Sequence, residues 1–573
     1  MSNSTKLAHS LLRQLIQLGV SNFVISPGSR NAPLTIALSE AASKQIIDLH
    51  VKIDERGAAF FALGIAKASN NYVAVICTSG TAAANFYPAA LEAFHSNVKL
   101  LIITADRPEM VRKTGANQTT DQVGIYKLIK THDLASEIEL KPLLNGKPIH
   151  LNIQFSEPLM SVEKNDWLAG IKIEPIKYKN NVGGKLEAST GVLIIGHDNA
   201  GYTDDEVNSF AGKLKWPVIA ENPLSFPQAH PHAVLYLSDP KIRQALAPEN
   251  MIVIGRTTLS RSVNEFIKLA KNLIVIDPRV ADIDNNRQAD LLLKSLPSEV
   301  ISEFTNDGIW QKASELAAAE TKNLVWSEQT AIKSICESLT SMSTLFVGSS
   351  RPVRDIEAFT KFQSGILVFA NRGLAGIDGN ISTVFGIAQE HETTNSIMGD
   401  LTFLHDISAL TNTPKENLRI FVIDNNGGGI FSTLPQAGSN GFEQVFGTPH
   451  NLDLVKVISG FGVSVGRVSD LTGLELILRK PVNGFEVVVI EVPSREVNAQ
   501  ILKEITQRVS NAVRIGINLA RLSANSVAGS DPATIPQPAK IRIEFRSLLN
   551  CPHLRAIAIS PSLLASIQPT GPA

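Results

Sequence analysis

Short runs of β-branched and other apolar residues recur along the chain: Phe23 to Ile25, Val73 to Ile76, Leu100 to Ile103, Val192 to Ile195, Ile252 to Ile254, Leu273 to Ile276, Leu345 to Val347, Ile366 to Phe369, Ile420 to Ile423 and Val487 to Ile490. Each is strand-length and almost unbroken by polar residues, and Ala- and Leu-rich stretches long enough for crossover helices separate them. Crossover helices cover both faces of a parallel sheet, so its strands read as continuous apolar runs rather than as alternating ones. The pattern predicts an α/β protein of doubly wound, mainly parallel sheets. Before the first run, Lys6, Arg13 and Gln14 interrupt the apolar positions, which predicts an amphipathic helix and not a secretory leader. No apolar run reaches the 18 or more residues of a membrane span.

Two shifts in composition divide these strands. Val162 to Leu186 gathers Lys, Asn and the pair Gly183-Gly184 and reads as a linker; a polar helical segment over 306–330 marks a second boundary. Three sheet domains are expected, over 1–175, 185–315 and 325–508, the first and third as distant copies of one fold. After Val509 the pattern changes: Ser, Ala and Pro crowd Ser523 to Pro538, and basic residues outnumber Asp531 and Glu544. The stretch 509–573 reads as an appended tail, open to disorder.

Composition narrows the class of function. At roughly 150 residues per domain, 573 residues correspond to about three to four domains. Hydrophobic residues at 44% and charged residues at 19% exclude a disordered chain. With 53 Lys and Arg against 54 Asp and Glu, there is no global basic field to hold nucleic acid or an anionic membrane. Cys77, Cys336 and Cys551 are too scattered for a disulfide framework or a Cys-x-x-Cys metal site. A reducing compartment, the cytoplasm, is the expected location.

The apolar runs end in polar, Gly-rich turns, where ligands of doubly wound sheets bind. Met398-Gly399-Asp400 precedes, by 25 positions, Asn425 in Asp424-Asn425-Asn426-Gly427. If Asp400 and Asn425 end neighbouring strands, about 5 Å apart, their oxygens can reach one cation. With the Gly427 carbonyl they supply three hard ligands and leave places on an octahedral Mg²⁺ for phosphate oxygens and water. The helix start after Gly399 and the Thr402 hydroxyl could donate to phosphate. The constellation suits a metal–diphosphate, although Thr394 to Met398 has poor strand propensity. The second signal is Asp54-Glu55-Arg56-Gly57, opening a small-residue helix through Ala58, Ala59, Ala62, Gly64 and Ala66 that could pack closely under a cofactor. Alone, an acid at a helix start is an ordinary dipole interaction.

Together the two signals resemble the thiamine diphosphate enzymes, in which a Gly-Asp...Asn motif holds Mg²⁺ and diphosphate while a glutamate of another domain bonds the aminopyrimidine. Over roughly residues 10 to 505 the resemblance narrows to the 2-succinyl-5-enolpyruvyl-6-hydroxy-3-cyclohexene-1-carboxylate synthase family of menaquinone biosynthesis. It is carried by Ser26-Pro27-Gly28-Ser29-Arg30, Asp54 to Gly57, Thr78-Ser79-Gly80-Thr81, Ala105-Asp106-Arg107-Pro108 and Gly115-Ala116-Asn117-Gln118, then by Asn371-Arg372-Gly373, Gly376-Ile377-Asp378-Gly379 and Asn425 to Phe431. The resemblance implies a transferase that decarboxylates 2-oxoglutarate on thiamine diphosphate with Mg²⁺ or Mn²⁺ and adds the succinyl unit to isochorismate. It implies a homodimer or dimer of dimers with active sites between subunits. Glu55 would share a proton with the pyrimidine N1′, and Ile377 would prop the cofactor in its bent shape. Gly399, Asp400, Thr402 and Asn425 would bind the cofactor, and Asp400, Asn425 and Gly427 the metal. Both substrates are dianions, and Arg30, Arg107, Arg261, Arg354 and Arg372 match family substrate contacts, with Ser29, Asn117, Gln118 and Ser350 as neutral donors and Ile430 and Phe431 as an apolar patch. Arginine suits such sites because its planar fork grips a carboxylate in two places. Arg261 stands where some relatives carry Lys, Asp424 replaces the first Asn of the commoner Asn-Asn pair, and the tail has no counterpart in the family.

Two other readings compete. An acetohydroxyacid synthase or 2-keto acid decarboxylase would share the cofactor motifs, but small singly charged keto acids do not call for so many arginines. A catalytically silent regulatory or cofactor-storage protein would need the metal motif but not Glu55.

Overall fold

Three parallel sheets form where the apolar runs predict them. The computed structural model describes residues 2–160, 166–178, 183–196, 198–279, 288–305 and 308–527, with side chains to 518. In the first sheet six strands lie in the order Asp48–Val51, Asn22–Ile25, Val73–Cys77, Leu100–Asp106, Ile149–Gln154 and Thr131–Leu134, all parallel. In the third the order is Leu367–Phe369, Thr344–Val347, Thr393–Gly399, Asn417–Asp424, Phe485–Glu491 and Ser464–Val468, again all parallel. Numbered by position in the chain, both sheets read 2-1-3-4-6-5, as expected of two copies of one fold.

The middle sheet has five strands, in the order Leu291–Leu293, Asn272–Ile276, Asn250–Ile254, Gly191–Ile195 and Val218–Ala220. Gly183–Ala188 pairs beside it with Pro297–Ser302. The end of the expected linker is therefore strand. A Cβ on Gly183 would lie 2.7 Å from the Leu296 carbonyl oxygen, so this glycine serves a close backbone approach. Residues 162–165 and 179–182 of the expected linker lie outside the described residues.

The small residues after Glu55 let helix Glu55–Ser69 cross helix Asn380–Ile387 and so join the first and third units. A Cβ on Gly64 would stand 2.1 Å from Thr383 O, and one on Gly386 would stand 2.1 Å from Phe61 O. The expected boundary at 508 is corrected, because the fold does not stop there. Helix Arg495–Val527 runs through that boundary, and its buried Ile505, Val509, Val513 and Ile517, spaced by four, form one apolar stripe. The stripe packs with Trp310 of helix Gly308–Glu320 and with Tyr236 and Phe266 of the middle unit. The tail beyond Val527 lies outside the described residues.

Poor local propensity does not prevent Thr393–Gly399 from being a central strand. It is paired on both sides, Thr394 with Thr344 and with Leu418, and its Thr394 and Ser396 are fully buried. Neighbours supply the pairing and packing that the side chains do not themselves favour.

Candidate active site

Strand order reverses in the third sheet between Thr344–Val347 and Thr393–Gly399, opening the crevice that doubly wound sheets use for ligands. Gly399 pairs with Ile423, so Asp400 and Asp424 leave the sheet side by side and Asn425 follows one step on. Asp400 is 2% exposed; Oδ1 accepts from Leu401 N at 2.6 Å and Oδ2 from Gly427 N at 2.8 Å. His450 Nε2 lies 3.3 Å from Asp400 Oδ2 and 3.5 Å from Asp424 Oδ1. Ligand atoms of these three residues fall within 4.8 Å of one another. Burial pushes the Asp424 carboxyl up to about 6, with the Asp400 charge adding to the effect. His450 is raised above the usual histidine range, chiefly by its hydrogen bond with Asp400.

Asn425 donates its Nδ2 to Glu328 Oε2 at 3.1 Å, while its Oδ1 is buried with no partner among the described residues. A Cβ on Gly429 would lie 2.4 Å from that Nδ2, so only glycine leaves the amide room. Gly427 has φ 135°, and its carbonyl accepts from Gly429 N at 2.9 Å with a second lone pair to spare. The loop is braced by its neighbour: Gly428 N donates to Gly447 O at 2.8 Å, and Asn426 Nδ2 to Asn451 Oδ1 at 2.9 Å. A buried carboxylate beside an amide oxygen with no donor is a place for a hard cation, and the donor set fits Mg²⁺ or Mn²⁺. Thr402 is buried in the first turn of helix Asp400–His405, whose start at Gly399 has no side-chain cap. The sequence reading missed His450. It sits 50 positions beyond Asp400, and its only local signal is a polar Thr448-Pro449-His450 turn.

Arg372 lies in the loop before helix Asn380–Ile387, and its fork is already engaged. Nε is 2.9 Å from Glu221 Oε1, and Nη2 is 2.8 and 3.0 Å from the two carboxylate oxygens; Nη1 is buried and unpartnered among the described residues. Glu221, which follows strand Val218–Ala220, also accepts from Leu259 N at 3.0 Å. Two positions on, Arg261 is the exposed first residue of helix Arg261–Ile267. Arg354 donates to Ser350 O at 2.6 Å; burial, then the charges of Arg351 and Arg372, pull it down to about 10. Ser350, at φ 75°, turns the chain from strand Thr344–Val347 into helix Arg351–Phe359. The loop that carries Arg372 and the half-buried Ile377 is latched to the first unit: Glu92 accepts from Gly373 N and Leu374 N at 2.9 and 2.8 Å, and Lys67 donates to Ala370 O at 2.7 Å. Ile430 and Phe431 are half-buried in the turn after Asn425, with Phe431 5.4 Å from the Phe446 ring.

The remaining expected residues border the first sheet. Arg30 donates to Phe155 O and Glu157 Oε1 at 3.2 and 3.0 Å, and Ser29 beside it is exposed. Arg107 donates to Ser79 Oγ at 3.2 Å and Gln118 O at 2.9 Å, while Asn117 and Gln118 present exposed side chains. Glu55 is half-buried at the first position of its helix, where Asn85 Nδ2 donates to its Oε2 at 3.3 Å. Its charge and burial push the Cys77 thiol up, burial being the larger effect. Among the described residues, Glu55 makes no hydrogen bond to the Asp400 site within one chain. Its neighbour Arg56 instead donates to His405 O at 2.9 Å, at the far end of helix Asp400–His405.

Comparison with known proteins matches residues 5–125 to the thiamine pyrophosphate enzyme N-terminal TPP binding domain and 357–492 to the C-terminal TPP binding domain. The chain is 32% identical to a protein of Saccharopolyspora erythraea, over 90% of this chain and 99% of that protein. It is 35% identical to one of a Nocardioides species, over 85% and 94%, and 33% identical to one of Thermobifida fusca, over 90% and 100%. All three are named 2-succinyl-5-enolpyruvyl-6-hydroxy-3-cyclohexene-1-carboxylate synthase.

Proposed function

The chain belongs to the 2-succinyl-5-enolpyruvyl-6-hydroxy-3-cyclohexene-1-carboxylate synthase family, and from that premise we propose how its residues divide the work. The enzyme is thiamine diphosphate-dependent; it decarboxylates 2-oxoglutarate and joins the succinyl unit to isochorismate in menaquinone biosynthesis. Thiamine diphosphate, when bound, supplies the electron sink that decarboxylation requires. The observation that carries the site reading is the unpartnered Asn425 Oδ1 beside the buried carboxylate of Asp400.

Asp400, Asn425 and the Gly427 carbonyl hold Mg²⁺ or Mn²⁺, and Gly399 and Thr402 border the diphosphate. Glu55 holds and returns one proton at the pyrimidine N1′; Asn85 steadies one of its oxygens. Ile377 supports the cofactor from the latched loop. Arg30, Arg107, Arg354 and Arg261, with Ser29, Asn117, Gln118 and Ser350, meet the substrate carboxylates beside Ile430 and Phe431, and Arg372 offers them Nη1, its one unpaired nitrogen. The reading includes a dimer, or dimer of dimers, in which each site takes Glu55 from one subunit and Asp400 from the other; within one chain it is Arg56, next to Glu55, that meets the end of helix Asp400–His405. A cytoplasmic location belongs to the same reading: Cys77 and Cys336 are free and buried, and among the described residues no helix is long and apolar enough to cross a membrane.

The deciding assay supplies 2-oxoglutarate and pyruvate together with isochorismate and identifies the adducts by mass. The succinyl adduct should dominate, because each arginine left without its carboxylate forfeits about 1.5 to 3 kcal/mol. A pyruvate-derived adduct in equal or greater amount would move the acetohydroxyacid synthase reading ahead.

A further inference from the structure

The side-chain amide of Asn425 ends in two groups of similar size and opposite chemistry: Oδ1 binds a cation and Nδ2 repels one. Half a turn about the last side-chain bond exchanges them, so sequence and shape alone leave the ligand ambiguous. In the fold, Glu328 removes the ambiguity. Its Oε2 faces the amide and accepts from Nδ2 at 3.1 Å, and a carboxylate, having only lone pairs to offer, would repel Oδ1 from that position.

Glu328 is itself held firmly. It is 3% exposed, at the first position of helix Glu328–Ser338. Its Oε1 accepts from Gln329 Nε2 at 3.1 Å and lies 3.3 Å from Arg351 Nε, and its backbone N donates to Asn498 Oδ1 at 3.0 Å. Gln329 donates to one carboxylate oxygen and the Arg351 charge lies beside it, which leaves the other oxygen for Asn425. The consequence is the orphan already described: Oδ1 is turned away from Glu328, buried and without a partner.

We propose that Glu328 is a positioning residue for the metal, fixing the Asn425 amide so that Oδ1 and not Nδ2 faces the cation. The proposal rests on the reading of Asp400, Asn425 and Gly427 as the metal site. Through Arg351, the first residue of the helix that carries Arg354, the same carboxylate also braces that helix against the metal loop.

Two isosteric changes test it. In Glu328→Gln the amide oxygen should stay with the Gln329 donor and the Arg351 charge, placing an NH₂ group against Asn425. That group attracts Oδ1 and turns Nδ2 toward the cation. Asn425→Asp needs no orienting, since both its ends are oxygens, but it opposes one carboxylate to another until Glu328→Gln supplies a donor. The measurement is Mn²⁺ affinity of the full chain with thiamine diphosphate, read from the resonance of free Mn²⁺, with thermal unfolding midpoints as a check on folding. Glu328→Gln should weaken Mn²⁺ binding about 10- to 100-fold in the parent, and strengthen it when Asn425→Asp is present. The double variant, with donors matched to acceptors, keeps the test decisive if Glu328→Gln alone folds poorly: it must bind Mn²⁺ more tightly than Asn425→Asp alone. Unchanged affinity in Glu328→Gln overturns the proposal, as does an equal weakening in both backgrounds, which would mean that Glu328 acts by charge alone. A parent that binds no Mn²⁺ with thiamine diphosphate overturns the metal site itself, a result distinguishable from either.

Discussion

Arg372 and Glu221 form a buried, two-pronged ion pair across the seam between the third and middle sheets, 4% and 3% exposed and 2.8 Å apart. On the proposed reading Arg372 has two duties, holding Glu221 and meeting a substrate carboxylate, so removing it should do more than weaken substrate binding. Arg372→Met should leave Glu221 as an uncompensated buried charge and lower stability by about 3 to 5 kcal/mol. Adding Glu221→Gln should recover most of that loss without recovering the use of 2-oxoglutarate. Unfolding midpoints and substrate saturation, measured on the same variants, separate the two duties; a double variant as unstable as the single one would discount the pair.

Glu55→Gln fills the same space but cannot exchange a proton at N1′. It should bind thiamine diphosphate with modest loss and stop decarboxylation. Cofactor affinity and turnover are measured separately, and turnover within about tenfold of the parent, some 1.4 kcal/mol, would remove Glu55 from the proposed role.

Inactive Glu55→Gln and inactive Asp400→Ala chains, once mixed and exchanged, should regain activity, because one site of each mixed dimer then holds both intact residues. The activity of the exchanged mixture reads this directly. No recovery after verified exchange would refute the shared site.

His150 sets part of the acid limit of the first unit. Its Nε2 lies 2.7 Å from Thr104 Oγ1 and its Nδ1 3.0 Å from Thr131 Oγ1. Thr104 gives its own hydrogen to Asn152 Oδ1, so Nε2 must be the donor. Burial depresses its pKa from 6.5 to about 3. The unfolded chain takes up a proton below about 6.5 that the folded chain refuses, so this contribution is complete above that pH. It falls by about 1.4 kcal/mol per pH unit on acidification toward 3. Between pH 7.5 and 5, His150→Gln should lose roughly 2 kcal/mol less stability than the parent, checked by denaturant unfolding at both values.

Most of the strands were legible because burial on both faces writes itself locally as an apolar run, and the turns after them because Gly-rich loops are local too. That places Asp400 and Asn425 at strand ends, and the two strands prove to be neighbours in register. The strand that leads to Asp400 was not legible from propensity, since its pairing partners supply the stability. The stripe of Ile505, Val509, Val513 and Ile517 was present in the sequence at helical spacing, yet the Ser- and Pro-rich stretch behind it obscured the helix.

Class, turns and the residue types at the strand ends were readable from the residues alone, because periodicity and glycine placement act between near neighbours. Which groups meet was settled by long-range packing. It paired Arg372 with Glu221 across 151 positions, brought His450 to Asp400 across 50, and turned the Asn425 amide toward Glu328 across 97. It also set the small residues of the Glu55 helix against another helix. A local pattern records that a residue is buried or that a turn is polar. It does not record which distant donor will face which acceptor, and in this protein that pairing decides which arginine nitrogen and which amide oxygen remain free to bind.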